Sequence, residues 1–380
     1  MKNIYLDNAA TTPLAPEVLE EMLPFLTNDF GNPSSSHSYG RKNKNSIELA
    51  RKKIADFIGA NSDEIVFTSG GTEADNMAIK CCVTDLDVQR IITSSIEHNA
   101  VVNSVEILNE RYDIQADFVK LNEVAHVDLD HLETLLKSSN KKTLVSLMHA
   151  NNELGNLLPI KEVSILCKKY GALFHSDTVQ TMGHYKFDLK ELDIDFITCA
   201  AHKFHGPKGV GFLYMNRKNK LGQFITGGSQ ERKHRGGTEN VYGIIGLAKA
   251  MDLAFSDIDS HIKHVQTLKS YMISELLEID SSIKFNGDVN EKTSLYTVLN
   301  VCFPKKKNAS LLYFILDLNG VAASEGSACS AGAITQSHVL KALPDNQECQ
   351  SIRFSFSRYT TKEEIDFALQ KIRELICLDA

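Results

Sequence analysis

Residues 65–78 read Ile-Val-Phe-Thr-Ser-Gly-Gly-Thr-Glu-Ala-Asp-Asn-Met-Ala, an apolar run followed by two glycines and a threonine. The apolar run predicts a strand, and the residues after Thr72 predict a helix that starts at once. Glycines let a backbone approach an anion closely, and helix N-terminal amides carry partial positive charge. The segment around Gly71 and Thr72 therefore predicts either a phosphate-binding loop or a tight turn with Thr72 as N-cap. It matches neither the Rossmann glycine pattern nor the P-loop, so nucleotide binding has no support here.

Short β-rich runs alternate with helical spacing along the first two thirds of the chain. Apolar residues at 47, 50, 54, 55 and 58 lie on one face of a predicted helix over 46–58. Strands are predicted over 64–68, 90–94, 143–148, 172–176, 195–199 and 210–214. This alternation predicts an α/β fold whose mostly parallel sheet is flanked by helices.

The pattern changes near residue 250. A long amphipathic stretch over 251–279 precedes strand-like runs over 295–303 and 352–356, and Thr361 and Glu364 form a capping-box signature before a last helix. We therefore predict a large domain over 16–255 and a smaller α+β domain built from 1–15 and 256–380.

Composition narrows the class of protein. The 380 residues include 41 Lys+Arg and 48 Asp+Glu, a net charge of −7, and this acidic balance argues against a nucleic-acid or anionic-membrane binder. No run approaches the ~18–20 apolar residues of a membrane span. The first residues lack the apolar core of a signal peptide. We therefore predict a cytoplasmic protein whose eight cysteines are reduced thiols.

Two further segments carry candidate chemistry. Asp177 ends a predicted strand, where open α/β sheets bind ligands, although a helix cap is the simpler explanation for this residue alone. Lys203 follows another strand and precedes a Gly/Pro-rich turn, a setting that suits a lysine with a reactive, partly desolvated amine. The pair His202 and His205 is a weak metal motif, because it has no nearby Cys or carboxylate partner.

These three segments together fit one cofactor. Pyridoxal phosphate requires a lysine for its covalent bond, an acid for its ring nitrogen and an anion site for its phosphate. The chain offers all three, in the order Gly71 loop, Asp177 and Lys203.

With these features, the chain resembles the class V aminotransferase family of fold-type I pyridoxal phosphate enzymes. Within that family it resembles the cysteine desulfurases of nitrogen fixation and iron–sulfur assembly. The matching segments run through nearly the whole chain: YLDNAATTP at 5–13, GNPS at 31–34, HSYG at 37–40, SGGTE at 69–73, EH at 97–98, MHANNE at 148–153, HKxxGPKG at 202–209, RGGT at 235–238, GSACS at 326–330 and RFS at 353–355.

The resemblance implies roles for the matching residues. Lys203 would bind the cofactor covalently and move protons, Asp177 would pair with the ring nitrogen, and His98 would stack on the ring and act in acid–base steps. Gln180 and Asn152 would bond the ring hydroxyl side, with Asn152 also near the substrate. The phosphate would be held by Gly71, Thr72 and His202, and by Thr238 of a second subunit, which implies a homodimer. Arg353 would bind the substrate carboxylate.

Cys329 is the implied nucleophile. It lies in a run of small residues over 323–332, a composition that favours an exposed loop, whereas most single cysteines are small buried hydrophobes. By resemblance, its thiol would take sulfur from L-cysteine as a persulfide, releasing L-alanine, and pass it to an acceptor or an iron–sulfur scaffold protein. No intrinsic metal is expected, although Cys329 would be a transient iron–sulfur contact.

One departure from the family pattern is Ala200, where relatives usually carry a serine that bonds the cofactor phosphate. The loss of a hydrogen bond to a charged group costs roughly 1.5–3 kcal/mol, unless Thr198 or water compensates.

The alternatives to a desulfurase are a selenocysteine lyase or an aminotransferase with the same cofactor, and a non-catalytic scaffold for sulfur assembly.

Overall fold

The structure is a computed structural model that describes residues 3–304, 312–325, 337–343 and 349–377. Its strands are β1 Ile4–Tyr5, β2 Ile65–Thr68, β3 Arg90–Thr93, β4 Gln115–Phe118, β5 Thr143–Ser146, β6 Leu173–Asp177, β7 Phe196–Ala200, β8 Gly211–Met215, β9 Lys284–Phe285, β10 Val298–Pro304, β11 Val321–Ala322 and β12 Cys349–Ser355. Its α-helices are α1 Pro16–Thr27, α2 Ser38–Phe57, α3 Gly71–Leu86, α4 Asn99–Tyr112, α5 Leu129–Lys137, α6 Ile160–Tyr170, α7 Val241–Ser256, α8 Ile258–Ile279, α9 Leu312–Leu318, α10 His338–Lys341 and α11 Lys362–Cys377.

The central sheet has the order β2-β8-β7-β6-β5-β3-β4. Strands β3 to β7 pair in parallel, whereas β8 runs antiparallel to both β2 and β7. The α/β fold with a mostly parallel sheet is therefore confirmed, and each of the six predicted strands is present to within two residues at either end. Most of these strands are buried along their whole length, which explains their continuous apolar sequences.

The chain leaves the sheet at three points that bear on function. Strand β2 leads into α3, β6 ends at Asp177, and β7 leads into a 3₁₀ turn over Ala201–Lys203. Strands β6 and β7 are parallel neighbours, so Asp177 and the turn lie at the same edge; β2 meets this edge through β8. A ligand site at the carboxyl ends of parallel strands follows from this topology.

A second apolar core lies outside the central sheet. Strands β12, β10 and β9 form an antiparallel sheet, and β1 pairs with β11. The core beneath combines residues near both ends of the chain, such as Ile4, Leu6, Val301 and Ile372. The domain boundaries at residues 15 and 255 stay a prediction.

The part of the chain after residue 250 shows two differences from prediction. The stretch over 251–279 forms parts of two helices, because Asp257 leaves helical geometry with φ −146° between α7 and α8. Cys302 and Cys349 form a disulfide between β10 and β12, so the prediction of reduced thiols is wrong for this pair.

The capping box of α11 is confirmed: the Thr361 amide donates to Glu364 Oε2 at 2.9 Å, and the Glu364 amide donates to Thr361 Oγ1 at 3.3 Å. Among the residues that the structure describes, none of the helices combines the length and apolar character needed to cross a bilayer.

Candidate active site

An open cavity of about 770 Å³ lies at the carboxyl edge of the central sheet. Nine of the predicted site residues line it: Gly71, Thr72, His98, Asn152, Asp177, Gln180, His202, Lys203 and Arg353. Thr238 is exposed and does not line this cavity. Cys329 lies outside the described residues.

The N-terminus of α3 opens into the cavity. Gly70 is its N-cap with φ +150°, a conformation that favours glycine, and a Cβ built there meets no atom within 4 Å. The amides of Gly71 and Thr72 come at the start of the helix, where they have no intrahelical acceptor. This end of α3 is therefore an open set of donors, suited to an anion such as a phosphate.

Lys203 ends the 3₁₀ turn after β7 and reaches the N-terminal segment of the chain. Its Nζ donates to the carbonyls of Ala9 at 2.6 Å and Ala10 at 2.9 Å. The turn is fixed from the other side as well, because the Thr12 amide and hydroxyl both donate to the His202 carbonyl at 2.9 Å. The lysine amine is therefore held inside the cavity.

Asp177 occupies the floor of the cavity. Its carboxylate accepts the Val179 amide at 2.8 Å and is 6% exposed. Burial, together with the nearby carboxyl group of Asp75, raises the pKa of Asp177. Gln180, three residues further along the chain, donates from Nε2 to the Ala9 carbonyl at 3.0 Å.

His98 and its neighbour Glu97 close one side. His98 is the N-cap of α4, and its Nδ1 accepts the Ala100 amide at 3.1 Å. Glu97 is buried beneath it and accepts from the Ser94 hydroxyl and the Met148 amide, both at 2.9 Å. Burial raises the pKa of Glu97 to about 8, so this side chain is protonated at neutral pH. Glu97 thus supports the loop that carries His98.

Arg353 enters the cavity from β12. It is 1% exposed, its Nη2 donates to Asp7 Oδ1 at 2.7 Å, and its Nη1 donates to the Asn152 carbonyl at 2.8 Å. Its Nε is buried without a hydrogen-bond partner among the described residues. Arg353 therefore keeps donor capacity for a carboxylate ligand.

Sequence reasoning did not single out two of the cavity's acidic neighbours. Asp7 lies within the quoted motif at 5–13, yet its pairing with Arg353 joins residues 346 positions apart, which no local pattern shows. Asp75 lines the cavity three residues after Thr72, and that helical spacing is a signal that both residues share one face.

Ala200 lines the cavity, and its Cβ lies near Gly71. The Thr198 hydroxyl contacts His175 Nε2 at 3.1 Å instead of lining the cavity. Thr198 is therefore not placed to replace the serine that the family resemblance leads us to expect at position 200.

Comparison with known proteins agrees with this geometry. The family model for aminotransferase class-V matches residues 4–367. The chain is 44% identical over 379 residues to a cysteine desulfurase IscS of Dictyoglomus turgidum, covering 99% of this chain and 95% of that protein. It is 41% identical to the putative cysteine desulfurase IscS 1 of Bacillus subtilis, covering 99% of both.

Solved structures give the same answer for the fold. A NifS-like protein superposes with a TM-score of 0.90 at 35% identity, over 99% of this chain and 100% of that one. A structure described as SspA in complex with cysteine superposes with a TM-score of 0.80 at 32% identity, over 94% of this chain and 100% of that one. The resemblance predicted from the sequence motifs is confirmed: the chain belongs to the aminotransferase class-V family and groups with its cysteine desulfurases.

Proposed function

We propose that this protein is a pyridoxal phosphate-dependent cysteine desulfurase that converts L-cysteine to L-alanine and holds the sulfur on Cys329. The observation that carries the proposal is the cavity that combines Lys203, Asp177, an open helix N-terminus and Arg353. Full-length relatives named as cysteine desulfurases support the choice of reaction.

The residues of the cavity fit pyridoxal phosphate. The amides of Gly71 and Thr72, with the Thr72 hydroxyl, would hold the phosphate at the N-terminus of α3, in the open space beside Gly70. Asp177 would accept the ring N–H, and Lys203 would bind the aldehyde carbon. When bound, the cofactor supplies an electron sink for bonds broken at the amino acid.

Three side chains would handle the substrate and its protons. Arg353 would bind the carboxylate of L-cysteine with donors that Asp7 and Asn152 leave available. Lys203, whose amine is held inside the cavity, would move protons at the substrate carbons. His98, which lines the cavity, would exchange protons with the reacting groups.

Sulfur transfer needs no additional reagent. As the Cys329 thiolate forms an S–S bond with the substrate sulfur, the Cβ–S bond breaks, and its electron pair remains with Cβ, which takes up a proton. L-Cysteine and one enzyme thiol thus become L-alanine and one enzyme persulfide. Described residues on both sides of this segment contact the site: Ser324 pairs with Arg353, and His338 Nε2 lies 2.9 Å from the Glu97 carbonyl.

We further propose a homodimer. Arg235 Nε bonds Glu73 Oε1 at 2.9 Å near the start of α3, while the exposed Thr238 is left outside the cavity of its own chain. Helix α1 and the segments around it expose large apolar side chains, including Phe30 (75% exposed) and Leu49 (70% exposed). A second copy would cover them. A protein that sediments as a monomer with full activity would contradict this proposal.

The deciding experiment compares Cys329→Ser with Cys199→Ser in an assay for alanine and protein-bound persulfide. Cys199 is buried on β7 and serves as the matched control. Cys329→Ser should bind cofactor normally, lose alanine production by orders of magnitude and show no persulfide in mass spectra, because a hydroxyl is a far weaker nucleophile than a thiolate. Near-normal alanine release by Cys329→Ser would instead favour a lyase or an aminotransferase.

The sulfur acceptor and location follow as expectations. We propose that an acceptor or iron–sulfur scaffold protein in the cytoplasm receives the persulfide sulfur. Turnover of L-cysteine measured with and without such a scaffold tests the acceptor, and keto acid in place of alanine would indicate transamination. Turnover of selenocysteine far above that of cysteine would indicate a selenocysteine lyase.

A further inference from the structure

Asp75 is a buried carboxylate beside the proposed cofactor site, and none of the roles given above uses it. It lies in the second turn of α3, lines the cavity and is 1% exposed. Its Oδ1 has no hydrogen-bond partner among the described residues. One oxygen of Asp75, one of Asp177 and one ring nitrogen of His98 lie within 4.8 Å of one another. Two buried carboxyl groups therefore share the floor of the cavity.

The nearest imidazole does not neutralise them. His175 is fully buried, and its Nδ1 and Nε2 lie 2.8 Å from the Ser146 hydroxyl and 3.1 Å from the Thr198 hydroxyl. Its Nε2 is 3.4 Å from Asp75 Oδ1. Burial lowers the pKa of His175 to about 4, so the ring is neutral near neutral pH.

His98, the other imidazole, bonds to its own helix, because its Nδ1 accepts the Ala100 amide at 3.1 Å. Glu97 adds no positive charge. Lys203 directs its Nζ to two backbone carbonyls of the N-terminal segment.

Two carboxyl groups this close in a buried site cannot both ionise at low cost, so the pair retains a proton. We propose that Asp75 is a positioning residue that holds this proton near neutral pH and thereby keeps Asp177 as a single buried negative charge opposite the cofactor ring nitrogen. This inference rests on the proposed function, because it requires the ring of the bound cofactor. Burial raises the pKa of both carboxyl groups, and the rise is larger for Asp75.

The arrangement has a chemical purpose. If the proton were on Asp177, the ring nitrogen would lose its counter-ion, and if both groups were ionised, two negative charges would repel each other in a buried floor. A protonated Asp75 avoids both states. Asparagine has the same shape and is always neutral, so Asp75→Asn should preserve cofactor binding while removing the proton.

Infrared difference spectroscopy of the holoenzyme near neutral pH tests the proposal directly. The wild-type spectrum should contain a carbonyl band of a protonated carboxylic acid that shifts in D₂O and is absent from Asp75→Asn. Protonated Glu97 is present in both proteins and cancels. The control Asp29→Asn, which removes a carboxylate paired with the exposed Lys42 at 2.7 Å, should change only bands of ionised carboxylates. If Asp75→Asn also changed only bands of ionised carboxylates, the proposal would be overturned.

A second measurement follows stability against pH. An acid whose pKa is higher in the folded than in the unfolded state costs stability as pH rises from the unfolded value, about 3.9, through the folded one. Asp75→Asn should therefore match the wild-type melting temperature near about pH 4, exceed it by a growing margin up to about pH 7, and keep a constant margin above that pH. The charged or titratable groups that face Asp75 are unchanged in both proteins: Asp177, His175, His98, Glu97 and Lys203. If the melting temperatures of the two proteins changed with pH in parallel, a raised pKa for Asp75 would be refuted.

Two other outcomes remain informative. A protein that takes up no pyridoxal phosphate would contradict the proposed function, and the infrared comparison on the cofactor-free chain would still decide the shared proton. If Asp75→Asn does not fold, wild-type protein labelled with ¹³C at aspartate carboxyls replaces it. One aspartate should then titrate near neutral pH, and ionisation of every aspartate by about pH 5.5 would refute the proposal.

Discussion

The substitution Asp7→Asn tests how the substrate arginine is held. Asp7 Oδ1 accepts Arg353 Nη2 at 2.7 Å, and the guanidinium is 1% exposed, so its orientation depends on a few fixed partners. Asparagine keeps an acceptor oxygen of similar position but removes the negative charge. We expect weaker orientation of Arg353 and therefore weaker binding of the carboxylate of L-cysteine.

The size of the effect follows from the bond that is weakened. The guanidinium stays charged in Asp7→Asn, so the bond changes from one between two charged groups, near the upper end of about 1.5–3 kcal/mol, to one with a single charged partner, near the lower end. The difference, roughly 1–1.5 kcal/mol, corresponds to a rise in KM for L-cysteine of about 5–12-fold, with a smaller change in kcat. Steady-state alanine production measures both constants.

The matched control is Asp29→Asn. Asp29 has the same side-chain exposure as Asp7, 17%, and the same 2.7 Å contact, but its partner Lys42 is 63% exposed. An exposed pair contributes little, so KM should not change. An unchanged or lower KM in Asp7→Asn would show that Asp7 competes with the substrate for Arg353 instead of orienting it, and the reasoning would be refuted.

Two further substitutions follow from the same structure. Lys203→Ala should abolish both the covalently bound yellow cofactor and turnover, whereas Lys208→Ala, at an exposed position, should retain them; absorbance after removal of free cofactor decides between the two lysines. Glu231→Ala should lower the free energy of unfolding by about 3–5 kcal/mol in urea denaturation, because it leaves the buried Arg51 without its two-bond partner at 2.7 and 2.8 Å. Glu48→Ala removes the exposed partner of the same arginine and should cost under about 1 kcal/mol; equal losses would contradict the assignment of the buried pair.

The strands of the central sheet could be predicted because buried parallel strands form continuous apolar runs. The edge strand β4 escaped prediction, since its four residues are only partly buried and lack such a run. The antiparallel direction of β8 was also beyond reach, because an apolar run looks the same in either direction. The break at Asp257 has no proline or glycine to mark it, so the helical periodicity continues through it.

In the site, too, some features could be predicted from the sequence and others could not. Residues within short motifs, such as Lys203 and Asp177, could be selected from local chemistry and from family resemblance. Pairings between motifs could not, because the distance between Asp75 and Asp177 depends on how α3 packs against the sheet, and the contact of His338 with Glu97 joins residues 241 positions apart. Such contacts arise only once the chain is folded.

The contacts of residues 7–10 explain the motif at 5–13, which the sequence identified only by its resemblance to the family. Ala9 and Ala10 offer their carbonyls to Lys203, and Asp7, two residues earlier, accepts the bond from Arg353. These two carbonyls lie 2.6 and 2.9 Å from the lysine amine. One short stretch of chain thus positions the residue proposed to bind the cofactor and the residue proposed to bind the substrate. A displacement of this stretch should therefore change cofactor and substrate binding together, whereas a change in β12 alone should affect the substrate.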